Sequence, residues 1–267
     1  MSHSLSTSTV TAAITGMKDT LVLSDRIVAH RGYRKAYPEN TLLAHRKAIA
    51  AGARYIETDI MLSADRQPVL YHDPTLKRVS NRSGRVDTHT ARELLTFPAY
   101  EPKRFGERFI DETITPLSEL VTLLQQQPQA SAYIDIKKEA TLFAGVADTY
   151  TAVTRCLESV ASQCPLISHD YDLIVHARTQ GWQQCGVILN RWQDLSSKTL
   201  ETIKPDVVFC NYWRIPRAAK LQNLDFKLVV YEIAKPRLAI KYLHRGADKI
   251  ETFNIDGMIQ ALSQKTL

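Results

Sequence analysis

Apolar residues change their spacing repeatedly along this chain, marking short β-branched runs separated by stretches of helical period. Residues 26–30 read as a first strand. Asn40 is placed to cap a helix in which Leu42, Leu43, Ala44, Ala48 and Ile49 recur at helical spacing until Gly52 stops it. A second strand follows at 55–59. Its apolar run continues through 60–63, turns at 64–67 and returns over 68–72, which predicts an antiparallel hairpin. Pairing Ser63 with Pro68 sets Asp59 opposite His72, so the hairpin is expected to carry that histidine back to the second strand.

Residues 74–115 are irregular, with Pro74, Asn81, Gly84, Pro98, Pro102 and Gly106 among mixed charges. So long a connection in a compact domain reads as a lid or an insertion. Pro116 then opens a helix through Leu117, Leu120, Val121 and Leu124. Beyond it, strands at 132–136, 165–168, 186–189, 206–210, 227–233 and 249–252 alternate with helical patterns near 145–163, 171–180, 195–203, 216–223 and 236–245, and a last helix runs over 255–262. With the hairpin set aside, the strands number eight. Eight βα units on a chain of 267 residues predict an α/β fold, a (β/α)8 TIM barrel, rather than an open doubly wound sheet. The expected organisation is a tail at 1–24, rich in Ser and Thr and loosely ordered, then one barrel domain over 25–267 with the hairpin and long loop inserted after strand two.

Composition narrows the function classes. The formal net charge of +6 favours anionic substrates, but the basic residues are scattered, which argues against nucleic acid. Cys156, Cys164, Cys185 and Cys210 form no metal-binding or redox spacing and read as reduced thiols in a reducing compartment. No run of about eighteen apolar residues suggests a membrane span, and the first residues lack the pattern of a secretory signal. The expectation is a cytoplasmic protein with no stable membrane insertion.

A barrel of this kind works at the C-terminal ends of its strands, and the residues there are the wrong ones for a core. Strand one ends in His30 and Arg31, strand two in Glu57 and Asp59, strand three in Asp135 and Lys137. Glu57 and Asp59 are two apart, as are Asp135 and Lys137, so each pair projects from one face of its strand. Three converging carboxylates are hard oxygen donors that suit Mg²⁺ or Ca²⁺ rather than zinc. A divalent cation, an arginine, a lysine and two histidines make a site for a phosphate ester, and two imidazoles supply the acid and base that a phosphodiester needs.

At these residues the chain resembles the glycerophosphodiester phosphodiesterase family. The likeness is carried by His30-Arg31-Gly32, Pro38-Glu39-Asn40-Thr41, Gly52-Ala53, Glu57-Thr58-Asp59, His72-Asp73 and Asp135-Ile136-Lys137, and continues more weakly through Ser168 and Tyr231 to Gly246-Ala247-Asp248. The resemblance implies a barrel with one divalent cation, Mg²⁺ or Ca²⁺, held by Glu57, Asp59 and Asp135. It implies His30 and His72 as the acid–base pair, Arg31 and Lys137 on the phosphate, and a small glycerophosphodiester as substrate, hydrolysed to sn-glycerol 3-phosphate and an alcohol after attack by the glycerol 2-hydroxyl.

The chain also departs from the family's pattern. Asp135 stands where glutamate is usual, Tyr231-Glu232-Ile233-Ala234 where Trp-Thr-Val-Asn is common, and Phe253 where an aspartate follows the last strand. Tyr231 can keep an aromatic wall over the glycerol, while Glu232 adds an acid. These changes leave two alternatives: a lysophospholipase D-like enzyme acting on lipid phosphodiesters, and a barrel that binds a phosphorylated ligand without turnover. Glu39 is read as fixing the first loop and Asp73 as a turn residue. His45, His89, His169, His176 and His244 are expected to bind nothing, and Trp213 is an outside candidate for the pocket.

Overall fold

The computed structural model describes residues 25–263, so the tail expected at 1–24 and the last four residues lie outside the described part. Ten strands form one sheet: β1 Ile27–Ala29, β2 Tyr55–Leu62, β3 Pro68–Leu70, β4 Thr115–Pro116, β5 Ser131–Ile136, β6 Leu166–Ser168, β7 Cys185–Ile188, β8 Val207–Asn211, β9 Lys227–Tyr231 and β10 Lys249–Thr252. Eight of them, β1, β2 and β5 to β10, pair in parallel, and β1 pairs with both β10 and β2, which closes the barrel. The period-2 alternation shows why. Val28, Tyr133, Ile167, Phe209 and Val229 fill the interior, while Ile27, Ala29, Ile56, Ile60 and Ile134 pack outward on the helices.

Helices follow the barrel strands as the pattern predicts, with informative differences. Thr41, not Asn40, caps the helix Leu42–Ala50: its hydroxyl accepts from the Ala44 N–H, and Asn40 is freed for another task. The pattern read at 145–163 forms as Val146–Leu157 with a 3₁₀ segment Glu158–Gln163 beyond, and Gly145 (φ +84°) separates it from a further helix, Lys138–Ala144, that the pattern did not predict. The helix expected near 216–223 does not form. Its place is taken by a 3₁₀ turn Tyr212–Arg214 and irregular chain. Arg245 donates to the carbonyls of Pro216, Arg217 and Ala219, and Tyr242 to that of Tyr212, so tertiary donors satisfy backbone groups that a helix would have paired internally.

Strand β2 is eight residues long and outruns the barrel. Its upper part pairs antiparallel with β3, which pairs with β4. The hairpin forms, but its register is one residue off the expected one. Ser63 is drawn into the turn, where its N–H donates to the Gln67 carbonyl and its hydroxyl accepts from the Gln67 N–H. Leu62 therefore faces Pro68, and Asp59 faces Tyr71. The long connection after β3 is an ordered insertion with a small core of its own, in which Tyr71, Leu76, Val79, Val86, Leu94 and Ile114 pack on Met61 and Val69.

His45 lies on the helix Leu42–Ala50, fully buried, with neither ring nitrogen hydrogen-bonded. Burial pushes its pKa down from 6.5 to about 4, with Asp59 opposing weakly. The folded imidazole stays neutral where the unfolded one is protonated, so stability is complete above pH 6.5 and is lost as pH falls towards 4. Urea titrations at about pH 7 and about pH 4.5 should show His45→Leu losing about 2–3 kcal/mol less on acidification than the parent chain.

Candidate active site

The first strand ends in a turn that only its own sequence permits. Arg31 and Gly32 are both left-handed (φ +54° and +78°). A Cβ on Gly32 would lie 2.7–2.8 Å from Ala44, so the turn can close on the helix Leu42–Ala50 only with glycine there. The His30 N–H donates to the Thr252 carbonyl at 3.0 Å, and the Arg31 N–H donates to Glu57 Oε2 at 2.9 Å. These contacts tie the turn to β10 and β2 and set both side chains at the barrel mouth.

From Arg31 a chain of ion pairs runs across the site. Its guanidinium donates to Glu39 Oε1 at 2.8 Å, and its Nε lies 2.9 Å from Asp59 Oδ2. Arg34 and Arg78 converge on the same Glu39 carboxylate at 2.8 and 2.7 Å. Arg78 also donates to both Asp73 oxygens, at 2.7 and 2.9 Å, and Asp73 Oδ1 stands 2.7 Å from His72 Nδ1. On the other side, Lys137 Nζ donates to Asp59 Oδ1 at 3.1 Å and Asp135 Oδ2 at 2.9 Å. Asp73, expected to be a turn residue, therefore orients His72. Glu39 does fix the loop, as a hub for three arginines. Burial alone would raise its pKa, but Arg31, Arg78 and Arg34 outweigh it and bring the group down to about 2.

The acids fall into two kinds. Burial would raise Asp59, but Arg31, Lys137 and the Asn40 amide hold its pKa well below the usual range. Glu57, Asp135 and Glu251 are shifted up: burial is the largest cause for each, and repulsion from Asp59 adds to it in all three. Oxygens of Glu57, Asp59 and Asp135 lie within 4.8 Å of one another, a span that fits ligands around a cation at about 2.0–2.6 Å. Asp135 Oδ1 is buried without a hydrogen-bond partner. The residues present thus fit a hard divalent cation, and the shorter Asp135 reaches the cluster. His30, Glu57 and Glu251 form a second grouping within the same span.

A cavity of about 220 Å³ opens at this end of the barrel and brings together His30, Arg31, Glu57, Asp59, His72, Asp135, Lys137 and Tyr231, all the site residues expected from the sequence. It is also lined by His169, Asn211, Arg214, Glu232 and Glu251. His169, expected to bind nothing, directly follows β6, a position that places it at the mouth and on the cavity wall. Trp213 points away and is 66% exposed, and its neighbour Arg214 lines the cavity instead. His176 and His244 lie on outer helices, and His89 packs edge-on to Phe97. Glu251 carried no sequence signal beyond its parity on β10.

Asn40, displaced from capping, holds Asp59 of the second strand in place. Its Nδ2 donates to Asp59 Oδ2 at 2.8 Å, and its Oδ1 accepts from the Thr58 hydroxyl and the Asp59 N–H. Its φ of +55° suits asparagine. Asn40→Gly keeps the backbone and deletes the amide, leaving buried donors unpaired. Urea denaturation should show a loss of about 2–3 kcal/mol, and Asn40→Ala should cost about 1 kcal/mol more from backbone strain.

Comparison with known proteins bears on this geometry directly. A profile of the glycerophosphoryl diester phosphodiesterase family matches residues 30–163, half of the chain. The glycerophosphodiester phosphodiesterase of Caldanaerobacter subterraneus subsp. tengcongensis is 36% identical over 120 residues, covering 45% of this chain and 48% of that protein. Glycerophosphodiester phosphodiesterase 1 of Mus musculus is 36% identical over 120 residues, covering 44% of this chain and 36% of that protein. The chain thus spans about half or less of the length of these curated relatives. Among solved structures, an Oleispira antarctica phosphodiesterase in complex with the product sn-glycerol-3-phosphate superposes with a TM-score of 0.78 at 23% identity, over 89% of this chain and 96% of that one. The glycerophosphodiester phosphodiesterase of Thermotoga maritima gives 0.70 at 23%, over 88% and 97%. These structures share the barrel. With the family profile running from His30 through both acids of β2, His72 and on past Lys137, the chain belongs to the glycerophosphoryl diester phosphodiesterase family.

Proposed function

We propose that this chain hydrolyses glycerophosphodiesters to sn-glycerol 3-phosphate and an alcohol, with a divalent cation, Mg²⁺ or Ca²⁺, held by Glu57, Asp59 and Asp135. The observation that carries this reading is the opening of two imidazoles, His30 and His72, on one cavity that also holds the acid cluster and the cations Arg31 and Lys137. When bound, the cation would supply positive charge for the phosphoryl oxygens. Arg31 and Lys137 add to that charge while staying tied to Asp59.

The two histidines differ in depth. The His30 side chain is 8% exposed and that of His72 is 33% exposed. We assign the buried one to the enclosed glycerol end and the outer one to the variable alcohol. His30 then takes the proton of the glycerol 2-hydroxyl as its oxygen bonds to phosphorus. His72, oriented through Nδ1 by Asp73, protonates the departing alkoxide as the phosphorus–oxygen bond breaks. Water opens the resulting cyclic phosphate with the roles reversed. Tyr231 and Phe209 line the same cavity.

A lipid phosphodiester is the second reading. It is favoured by exposed Leu142, Phe143 and Trp213 on segments that follow β5 and β8 at the mouth of the barrel. Dependence of turnover on acyl-chain length separates the two.

Assay of sn-glycero-3-phosphoethanolamine with added Mg²⁺ or Ca²⁺ should show turnover that EDTA abolishes and added cation restores. His30→Ala and His72→Ala should each lower kcat by about 10²- to 10⁴-fold without lowering the melting temperature. Turnover that survives both EDTA and His30→Ala sinks the mechanism.

A further inference from the structure

We propose that Glu251 is the acceptor for the sn-1 hydroxyl of the glycerol moiety, which restricts the site to phosphodiesters whose glycerol carries a free sn-1 hydroxyl. The inference rests on the phosphodiesterase reading above and deepens it. Glu251 comes from β10, level with Val28 of β1 in the strand register, in a layer that a barrel normally fills with apolar side chains. It is 2% exposed, and its Oε1 has no hydrogen-bond partner. Every other buried acid of the mouth is engaged: Glu39 by three arginines, Asp59 by Arg31 and Lys137, Asp135 by Lys137, and Glu57 by the Arg31 N–H. A buried carboxyl oxygen without a donor is costly to keep. One aimed into a cavity is satisfied by what enters it.

The surroundings define that visitor. Glu251 shares the cavity with the aromatic residues Tyr231 and Phe209 and with His30. Its carboxylate lies within 4.8 Å of a His30 ring nitrogen. Two acceptors at that spacing can bracket adjacent hydroxyls on neighbouring carbons. If His30 serves the 2-hydroxyl, the next one along is at sn-1. A divalent cation at Glu251 would instead draw on Glu57 and His30, consuming the imidazole needed for proton transfer, whereas Glu57, Asp59 and Asp135 supply an all-oxygen set without it. An acyl ester at sn-1 has no hydrogen to donate and would leave the buried Glu251 oxygen without a donor. A site built to accept a hydroxyl rejects the analogue that lacks one far more strongly than an apolar pocket rejects a change of size.

The test compares kcat/KM on three substrates: sn-glycero-3-phosphoethanolamine, its 2-hydroxypropyl analogue lacking the sn-1 hydroxyl, and a 1-acyl lysophosphatidylethanolamine. The full chain should prefer the first by about 10²-fold or more over either of the others. Glu251→Leu should reduce the preference for glycerol over the 2-hydroxypropyl analogue to about threefold or less by losing the first substrate, and Glu251→Gln, which keeps an acceptor oxygen, should retain part of it. Melting temperatures check that both variants fold. Calorimetric titration with Mg²⁺ or Ca²⁺ should leave the affinity of Glu251→Leu near that of the parent while Asp135→Asn weakens it. Equal turnover of all three substrates by the parent chain, or an unchanged preference in Glu251→Leu, overturns the inference and leaves the phosphodiesterase reading standing. Loss of cation binding in Glu251→Leu to the extent seen in Asp135→Asn also overturns it, by making Glu251 a cation ligand. Turnover of none of the three removes the parent reading and this inference with it.

Discussion

A carboxylate withdrawn from water must be given cations or donors, and the mouth of this barrel is arranged around that requirement. Glu39 is the clearest case. Almost fully buried, it gathers Arg31 from the end of β1, Arg34 from the following loop and Arg78 from the insertion. The turn after β1 and the insertion are thereby held in one geometry. Removing one partner from such a cluster leaves an uncompensated buried charge, so the cost of losing it far exceeds that of an exposed pair. Arg31 keeps its strained backbone because its main-chain N–H and its side chain are both engaged, the first by Glu57 and the second by Glu39 and Asp59.

The same rule separates the site's acids by task. Asp59, Glu39 and Asp73 have their charge met by the chain's own cations and are held as anions, and they serve as anchors for Arg31, Lys137 and His72. Glu57, Asp135 and Glu251 have less internal compensation, and burial drives their pKa values upward. The unpartnered oxygens of Asp135 and Glu251 are the places where a ligand gains most. A site that is fully neutral by itself would have nothing left to offer a cation or a polyol.

The insertion after β2 matters for a simpler reason. Because β2 continues past the barrel rim, the hairpin that leaves it stays over the mouth instead of crossing to the outside, and the chain returns carrying His72 and Asp73. The small apolar cluster under the insertion stiffens it, so the outer histidine stands on an ordered element. That role could be read in part from the alternating runs on either side of residues 63–67.

What the sequence determined by itself is what local chemistry and periodicity govern. The eight barrel strands follow from short β-branched runs, and the convergence of His30, Arg31, Glu57, Asp59, Asp135 and Lys137 follows from their parity and their position at strand ends. Elements that compete for partners far away in sequence were decided only by tertiary structure. Ser63 looked like a strand residue until its hydroxyl found Gln67. Asn40 looked like a cap until Asp59 took its amide. Residues 216–223 looked helical until Arg245 supplied donors to their carbonyls. Glu251 shows the limit most plainly. Its position on a strand is legible, but whether a lone acid is a salt-bridge partner or an open acceptor depends on which side chains eight strands bring beside it. Here no cation lies within salt-bridge distance of it among the described residues, while a cavity does open beside it.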